Sequence, residues 1–144
     1  MRRHGRPLLG EVMVRMQYCS QEELEGALQT RPAGRRLGEH LVSQRVLSED
    51  SVYRALSVQS GLAFGLPPAS DWNRLAAHVL PLEAVRKWKV LPYRISVGQI
   101  HVLTTEVPSE EMARDLEQLS ALQIRFRLVR PEQFEAAMAE LLET

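Results

Sequence analysis

The most constraining feature of this chain is a short segment that occurs twice. The first copy runs from Leu8 to Val14 and the second from Arg36 to Val42, and both contain a Leu-Gly-Glu core. Each copy is followed at the same distance by a serine with acidic residues behind it, at Ser20 and at Ser48, and then by a second apolar run. Two copies of one unit indicate a surface of approximate two-fold character, to which each copy contributes one binding element. The duplication therefore predicts a recognition module.

Each copy has the pattern of two helices joined by a turn. Apolar residues recur at helical spacing in both halves of each copy. Ser20 and Glu23 predict a capping box, and Ser48 is placed to cap the corresponding helix of the second copy. We expect repeats at about 8–31 and 36–59, inside a helical subdomain that covers residues 1–61.

The remainder predicts a smaller subdomain that contains both helices and strands. Gly65, Pro67 and Pro68 indicate a linker over 62–71. Within 72–144, helical patterns occupy 73–79, 81–88, 109–120 and 131–143, and strand patterns occupy 90–95, 100–105 and the region around 124–128. We expect these strands to form a three-stranded sheet that is covered on one face. The predicted fold class is α+β, with two helix–turn–helix repeats followed by this small α/β subdomain.

Composition and charge narrow the classes of function. The 144 residues carry a formal net charge of zero, which gives no support to general binding of polyanions. Almost all of the basic residues are arginines, a residue suited to bidentate recognition of phosphates and guanine edges. The single cysteine, Cys19, fits a reducing compartment. Because neither a signal-peptide pattern nor a membrane-spanning apolar run is present, we expect a cytoplasmic module without direct membrane insertion, which includes the cytosolic part of an inner-membrane protein or complex.

No pattern in the chain predicts catalysis or a bound metal. The four histidines lie far apart and outside any Cys/His cluster, and the acidic residues fall in predicted caps and solvent-facing positions. The common phosphate-binding, dinucleotide-binding and nucleophile-elbow motifs are missing from the sequence. We therefore expect no catalytic residue, no metal site and no cofactor. Binding to a nucleic acid polymer is also disfavoured, because the second helix of each repeat begins with acidic residues at the end that would enter the major groove.

The second copy and the second half of the chain resemble a known family. The matching segments are Arg36-Leu37-Gly38, Leu41-Val42, Leu47, Val52, Leu56 and Gln59, followed by Val79-Leu80-Pro81, Val90-Leu91-Pro92 and Pro131-Glu132-Gln133-Phe134. This succession is similar to the N-terminal domain of type II secretion and type IV pilus ATPases, the GspE N-terminal or MshEN family. Similar domains are also attached to the cytoplasmic end of family-2-type glycosyltransferases of the inner membrane, including the phage-receptor type.

The resemblance implies a ligand and a set of binding residues. Some members of the family bind the bacterial second messenger cyclic di-GMP, using both copies of the repeat on one ligand. The chain is then a non-catalytic regulatory module, and its partner is a glycosyltransferase or ATPase domain in the same or another chain. Carried over onto this sequence, the ligand-binding residues are Leu9, Gly10, Val14, Arg36, Leu37, Gly38, Leu41, Val42, Leu56 and Gln59.

The first copy departs from the family pattern at its polar positions. Leu8 stands in place of the arginine and Arg31 in place of the closing glutamine, while Gln17 and Arg45 replace the turn glycines of the two copies. Arg6 and Arg31 are candidate substitutes for the missing groups, and the alternative is that the first copy serves only as a scaffold. The glycines and aliphatic residues of both copies also have a purely structural interpretation, namely close helix packing and core formation.

Two functions remain open on the sequence. In the first, cyclic di-GMP binds across the two repeats and controls an attached or partner enzyme. In the second, the chain is a ligand-free docking domain that links a secretion ATPase or a synthase to a membrane partner. An exposed apolar strip on the first subdomain would favour docking.

Overall fold

The computed structural model describes residues 8–142, which divide between Gly61 and Leu62 into two compact units. The first unit is helical, and the second combines helices with a sheet. The described residues form seven α-helices and four strands, and the predicted α+β fold class is confirmed.

The first unit consists of two successive helix–turn–helix repeats. Its helices are α1 (Leu9–Arg15), α2 (Gln21–Thr30), α3 (Leu37–Ser43) and α4 (Glu49–Ser60). The predicted capping box is present, because the Ser20 hydroxyl accepts from the Glu23 N–H at 3.0 Å and the Glu23 carboxylate accepts from the Ser20 N–H at 2.9 Å. Ser48 caps α4 by accepting from the Ser51 N–H at 3.1 Å.

The first helix of each repeat ends in the same turn. After α1, the N–H of Gln17 donates to the Val14 carbonyl and the N–H of Tyr18 donates to the Met13 carbonyl. The N–H groups of Arg45 and Val46 make the equivalent pair of bonds after α3. This pair of bonds defines a Schellman motif, which places one residue in the left-handed conformation. That residue is Gln17 with φ 64° in the first repeat and Arg45 with φ 60° in the second, the two positions where the family pattern has glycine.

Replacing Arg45 by glycine is therefore expected to stabilise the protein. A non-glycine residue in the left-handed region costs about 1–2 kcal/mol, and the larger backbone entropy of an unfolded glycine offsets about 0.5–1 kcal/mol of the gain. We expect the free energy of unfolding in urea to rise by about 0.5–1 kcal/mol for Arg45→Gly. Arg45→Ala keeps the Cβ atom and should give no such gain. An equal gain in both variants would attribute the effect to loss of the guanidinium and contradict the backbone argument.

The second unit contains a four-stranded sheet with three helices. The strands are β1 (Ala63–Phe64), β2 (Val90–Ser96), β3 (Gln99–Thr104) and β4 (Gln123–Leu128), in the order β1-β4-β3-β2. The helices are α5 (Leu82–Trp88), α6 (Glu110–Ser120) and α7 (Pro131–Leu142). β2 and β3 form an antiparallel hairpin, whereas β4 is parallel both to β3 and to β1. The chain between β3 and β4 passes through α6, as a parallel pairing requires.

The sheet is covered on both faces, so the prediction of one covered face is wrong. On one face, Val90, Ile100, Val102 and Ile124 pack with residues of α5 and α6. On the other face, Leu91, Tyr93 and Leu103 pack with residues of α7. Neighbouring strand residues point to opposite faces, and consecutive buried residues such as Val90-Leu91 and Val102-Leu103 therefore require a cover on each side.

Two further predictions for the second unit need correction. The sheet has four strands rather than three, because Ala63 and Phe64, in the segment predicted as a linker, pair with β4. The segment predicted as a helix over 73–79 has only a single 3₁₀ turn, Ala76–His78. Asn73 accounts for this, because its backbone N–H donates to the Tyr93 carbonyl of β2 at 2.7 Å and its side chain accepts from the Leu75 N–H at 2.9 Å. Both bonds hold the chain in a turn that a continuous helix would break.

Candidate ligand-binding site

An open surface cavity of about 360 Å³ lies in the first unit, between the end of α2 and the start of α3, and all of its lining residues are exposed. Its lining residues are Leu28, Arg31, Pro32, Ala33, Gly34, Arg35 and Arg36. Three of these seven residues are arginines and none is acidic. The cavity therefore offers positive charge and hydrogen-bond donors to an anionic ligand, with the half-exposed Leu28 as an apolar contact.

The loop between the two repeats gives the cavity its shape. The N–H of Arg35 donates to the Pro32 carbonyl at 3.2 Å and closes a tight turn. Gly34 is the third residue of this turn and has φ 84°, a value that glycine adopts without strain. The turn brings Arg31, at the end of α2, and Arg35 and Arg36, at the start of α3, to the same cavity.

Contacts with α3 position the arginines at the start of that helix. Arg36 is the N-cap residue of α3, and its backbone N–H donates to the Glu39 carboxylate at 3.4 Å. The guanidinium of Arg35 donates to the Ser43 hydroxyl at 3.3 Å. Ser43 in turn donates to the His40 carbonyl at 2.7 Å. The backbone of Arg36 and the side chain of Arg35 are therefore both attached to one short helix.

A direct side-chain bond joins α2 to α3 beside the cavity. Thr30, the last residue of α2, lies with its hydroxyl oxygen 2.9 Å from Nε2 of His40, whose side chain is only 3% exposed. The Thr30 hydroxyl donates its single proton to the Gly26 carbonyl at 3.0 Å. Nε2 of His40 must then carry a proton and donate to Thr30. This bond fixes the separation of the two helix ends that carry the arginines.

The structure brings together two of the predicted site residues, Arg31 and Arg36, and adds Arg35 to them. Sequence reasoning missed Arg35, Leu28 and Gly34. The signal that would have found them is the composition of the loop, which places three arginines around a Pro-Ala-Gly turn. Arg6 lies outside the described residues.

The two predicted site glycines lie at helix contacts. Gly10 and Gly38 are both buried. A Cβ atom on Gly10 would lie 3.0 Å from both Cδ atoms of Leu24, and one on Gly38 would lie 2.7 Å from Cγ1 of Val52. Close packing between the two helices of each repeat is therefore sufficient to require both glycines.

The predicted apolar site residues lie in or against the helical core. Leu41 is completely buried, with no exposed surface. Leu9, Val14, Leu37, Val42 and Leu56 are partly buried and pack against the same core. Gln59 is half-buried in the last turn of α4. None of these seven residues lines the cavity, and neither does Gly10 or Gly38. The role of all nine towards a ligand stays a prediction.

The first repeat retains the backbone of the second but not its charge. Leu8 and Arg36 are N-cap residues with nearly the same backbone angles, φ −70° and ψ 150° against φ −71° and ψ 149°. Glu11 accepts from the Leu8 N–H at 3.0 Å, as Glu39 does from that of Arg36. The Leu8 side chain is 61% exposed. The first copy thus presents an apolar side chain where the second presents a guanidinium.

Residues 8–142 contain no group of three or more histidine, cysteine, aspartate or glutamate residues that is suited to a metal ion. Cys19 is buried, and burial, followed by the nearby Glu23 carboxylate, raises the pKa of its thiol. A thiol with a raised pKa is less often the reactive thiolate at neutral pH. Within the same range, no helix combines the length and apolar character that crossing a membrane requires.

The fold and the cavity define a class of domain in which a duplicated helix–turn–helix unit with an arginine-lined cavity precedes a small α/β unit. The model of the MshEN domain family matches residues 60–144, more than half of the chain, and the chain therefore belongs to this family. The predicted family resemblance is confirmed. Because this match covers the second unit, the comparison for the first unit depends on structural similarity.

Solved structures extend the similarity over the repeats. A structure of MshE with cyclic di-GMP is similar over 94% of this chain and 99% of that chain, with a TM-score of 0.80 and 26% sequence identity. The N-terminal domain of XpsE is similar over 89% of each chain, with a TM-score of 0.61 and 13% identity, which is a similarity of fold.

Two curated relatives are phage adsorption proteins. The chain is 29% identical over 94 residues to bacteriophage adsorption protein B of Escherichia coli strain K12. The same figures hold for bacteriophage N4 adsorption protein B of Escherichia coli O157:H7. The aligned region is 65% of this chain but only 13% of each relative, so a domain of this kind is a small part of those proteins.

Proposed function

We propose that this domain binds cyclic di-GMP at the arginine-lined cavity and acts as a non-catalytic regulatory module. The observation that carries the proposal is the convergence of Arg36, from the Arg-Leu-Gly motif, with Arg31 and Arg35 on one cavity. Support comes from the fold, which is similar over nearly its whole length to MshE with cyclic di-GMP.

The chemistry of the ligand matches the donors of the cavity. Cyclic di-GMP carries two phosphates and two guanines, and each guanine presents the O6 and N7 acceptors. A guanidinium fork pairs with two acceptors at once, whether they belong to a phosphate or to a guanine edge. Three guanidinium groups provide more hydrogen-bond donors than a single phosphate can accept. The three arginines can therefore contact a phosphate and a base of the same ligand.

The two repeats are expected to contribute unequally. The second repeat supplies Arg36, whereas the first has Leu8 at the equivalent position. Arg31 belongs to the first repeat and occupies the position of its missing glutamine. In this arrangement Arg31 replaces the lost polar contact of the first repeat, and Arg36 provides the main charge of the second.

The regulated partner is proposed to be an attached or neighbouring enzyme domain in the cytoplasm. The curated relatives are far longer than the matched region, which supports a domain that works as part of a larger protein. A glycosyltransferase of the phage-receptor type is the partner we favour, and a secretion or pilus ATPase is the alternative. The ligand changes the activity of such a partner only if it binds two states of the larger protein with different affinity.

Calorimetric titration of the chain with cyclic di-GMP tests the proposal. We expect binding at about one ligand per chain with a Kd in the micromolar range or tighter, and much weaker binding of cyclic di-AMP, which lacks the guanine O6 acceptors. Leu8 does not line the cavity, but it occupies the N-cap position of the first repeat that Arg36 occupies in the second. If the ligand spans both repeats, Leu8→Arg adds one charge-assisted bond and should tighten binding about tenfold, whereas an unchanged affinity would confine the ligand to the cavity. Val58→Arg, at another exposed apolar position of the first unit, controls for a general effect of added charge.

Absence of heat at high ligand concentration, with a folded chain by circular dichroism, would contradict the proposal. A docking domain without a nucleotide ligand would then be the remaining function. Equal tightening in Leu8→Arg and Val58→Arg would contradict the specific role of the N-cap position.

A further inference from the structure

A second basic surface lies on the sheet of the second unit. Arg94 of β2 is directly opposite His101 of β3, and His101 is directly opposite Arg125 of β4. Residues opposite each other on neighbouring strands point to the same face, so these three side chains form a line about 10 Å long across two strand spacings. Arg94 and Arg125 are exposed and His101 is half-buried. We refer to these three residues as the arginine row.

Uncharged groups contact two members of the arginine row, Arg125 and His101. With its amide oriented to satisfy its hydrogen bonds, Gln99 accepts from both Nε and Nη2 of Arg125 at 3.1 Å. The Ser96 hydroxyl lies 2.9 Å from Nε2 of His101, and the Tyr93 ring lies 6.1 Å from the imidazole between centroids. Within residues 8–142, no ion pair neutralises Arg94 or Arg125. The guanidinium group of Arg125 is therefore held by Gln99, while the charges of Arg94 and Arg125 remain available to a partner.

The electrostatics of His101 reflect the same excess of positive charge. Burial lowers the pKa of His101 most, and the charges of Arg94 and Arg125 lower it further. Arg94 lies on the strand to one side of His101 and Arg125 on the strand to the other, and these are the charges that lower its pKa. Ser96 and Tyr93, both on β2, are the uncharged polar neighbours of the imidazole. The row thus disfavours further positive charge and attracts anions.

We propose that the arginine row is a docking surface for an acidic, extended segment of a partner protein. A guanidinium fork pairs with a carboxylate through two parallel hydrogen bonds. In an extended segment every second side chain points to the same side, and such side chains are about 7 Å apart. Two acidic residues spaced in this way can therefore reach both arginines of a row of this length. The proposal is independent of cyclic di-GMP, because the row belongs to the second unit and the cavity to the first.

The chemistry of the row favours a protein over a nucleic acid or a membrane. Single-stranded nucleic acids stack their bases on exposed aromatic rings, but the ring at this surface, Tyr93, is only 6% exposed. Recognition of anionic lipid is typical of clusters of about four to eight basic residues, each contributing about 1 kcal/mol. The row has two arginines and a histidine, which suits a few specific carboxylate contacts.

Binding of carboxylates also predicts a dependence on pH. A carboxylate beside His101 favours the protonated imidazole and raises its pKa relative to the free protein. The complex therefore takes up a proton, and affinity rises as pH falls through the pKa of His101 in the complex, until the free protein is protonated as well. At pH 5.5 glutamate, with a pKa of about 4.3, still carries its charge.

The test uses fluorescence anisotropy with the full chain and a fluorescein-labelled peptide in which glutamate alternates with threonine. The matched peptide has glutamine in place of glutamate. We expect binding of the glutamate peptide alone, weakened at least about fivefold in the double variant Arg94→Gln/Arg125→Gln, since two exposed ion pairs are lost. Arg86→Gln/Arg114→Gln removes the same charge from exposed helix positions and should bind as the wild type does. Lowering the pH from 7.5 to 5.5 should tighten binding in the wild type and not in His101→Gln.

Several results would overturn the proposal. These are equal binding by the two double variants, equal binding of the glutamine peptide, or no binding of the glutamate peptide to a chain that is folded by circular dichroism. Binding of phosphatidylglycerol vesicles or of single-stranded RNA through Arg94 and Arg125, without binding of the peptide, would assign the row to a membrane or a nucleic acid instead.

Discussion

Replacing Arg36 by alanine is expected to weaken cyclic di-GMP binding at least about tenfold, the loss that corresponds to one charge-assisted hydrogen-bonding group. Arg36 is the arginine of the Arg-Leu-Gly motif, and it lines the cavity together with Arg31 and Arg35. Its position at the N-cap of α3 is held by backbone contacts that alanine can retain, because the bond to Glu39 uses the backbone N–H. The substitution should therefore reduce affinity with little change in the free energy of unfolding. Calorimetric titration and urea unfolding measure the two quantities separately.

The matched control is Arg15→Ala. Arg15 is an exposed arginine in the last turn of α1 and does not line the cavity. The Arg15→Ala substitution removes the same charge from the same unit. We expect its affinity for cyclic di-GMP to be within about twofold of the wild type, because exposed charges at a distance are screened by salt. Equal losses in Arg15→Ala and Arg36→Ala would mean that total charge, not the cavity, governs affinity.

The second large effect is expected for Gly38→Ala. The added Cβ atom would lie 2.7 Å from Cγ1 of Val52, a short β-branched side chain with little freedom to move away. Overpacking of this kind costs about 1–3 kcal/mol, whereas alanine gains up to about 1 kcal/mol over glycine in a helix. We expect a net loss of about 1–2 kcal/mol in the free energy of unfolding, measured in urea.

Gly10→Ala provides the internal comparison at the equivalent position. Its Cβ atom would lie 3.0 Å from the terminal atoms of Leu24, which can move by a change of rotamer. The loss should therefore be smaller than for Gly38→Ala. In addition, Gly38→Ala should cost less stability in a Val52→Ala background than in the wild type, which a double-mutant cycle measures. If Gly38→Ala is as stable as the wild type but loses cyclic di-GMP binding, the glycine serves ligand approach rather than packing.

Local signals in the sequence predicted most of the helices and strands. Ser20 and Ser48 each accept a hydrogen bond from a backbone N–H in the first turn of the following helix, as predicted. The strands predicted at 90–95 and 100–105 are present as β2 and β3. These features depend on residues close in sequence, and a single sequence is sufficient to predict them.

The features that sequence reasoning missed depend on distant residues. β1 has only two residues, and it is a strand because β4 lies beside it, with the Gly65 N–H bonded to the Leu128 carbonyl. The helix predicted at 73–79 does not form, because the N–H of Asn73 donates to the carbonyl of Tyr93 in β2. For the cavity, the motif predicted Arg36 and the repeat comparison predicted Arg31, but the turn at Gly34 is what adds Arg35. The apolar residues of the motif have helical spacing, which predicts core positions, and the structure places them in or against the core; their contact with a ligand stays a prediction.

The bond between Thr30 and His40 has a consequence for the energetics of binding. It closes the intervening segment into a loop that is fastened at both ends, with Arg31, Arg35 and Arg36 inside it. The entropy lost in ordering this loop belongs to folding and not to ligand capture. An anion that binds in the cavity therefore meets a backbone that is already ordered, and the conformational cost of capture is confined to the exposed arginine side chains.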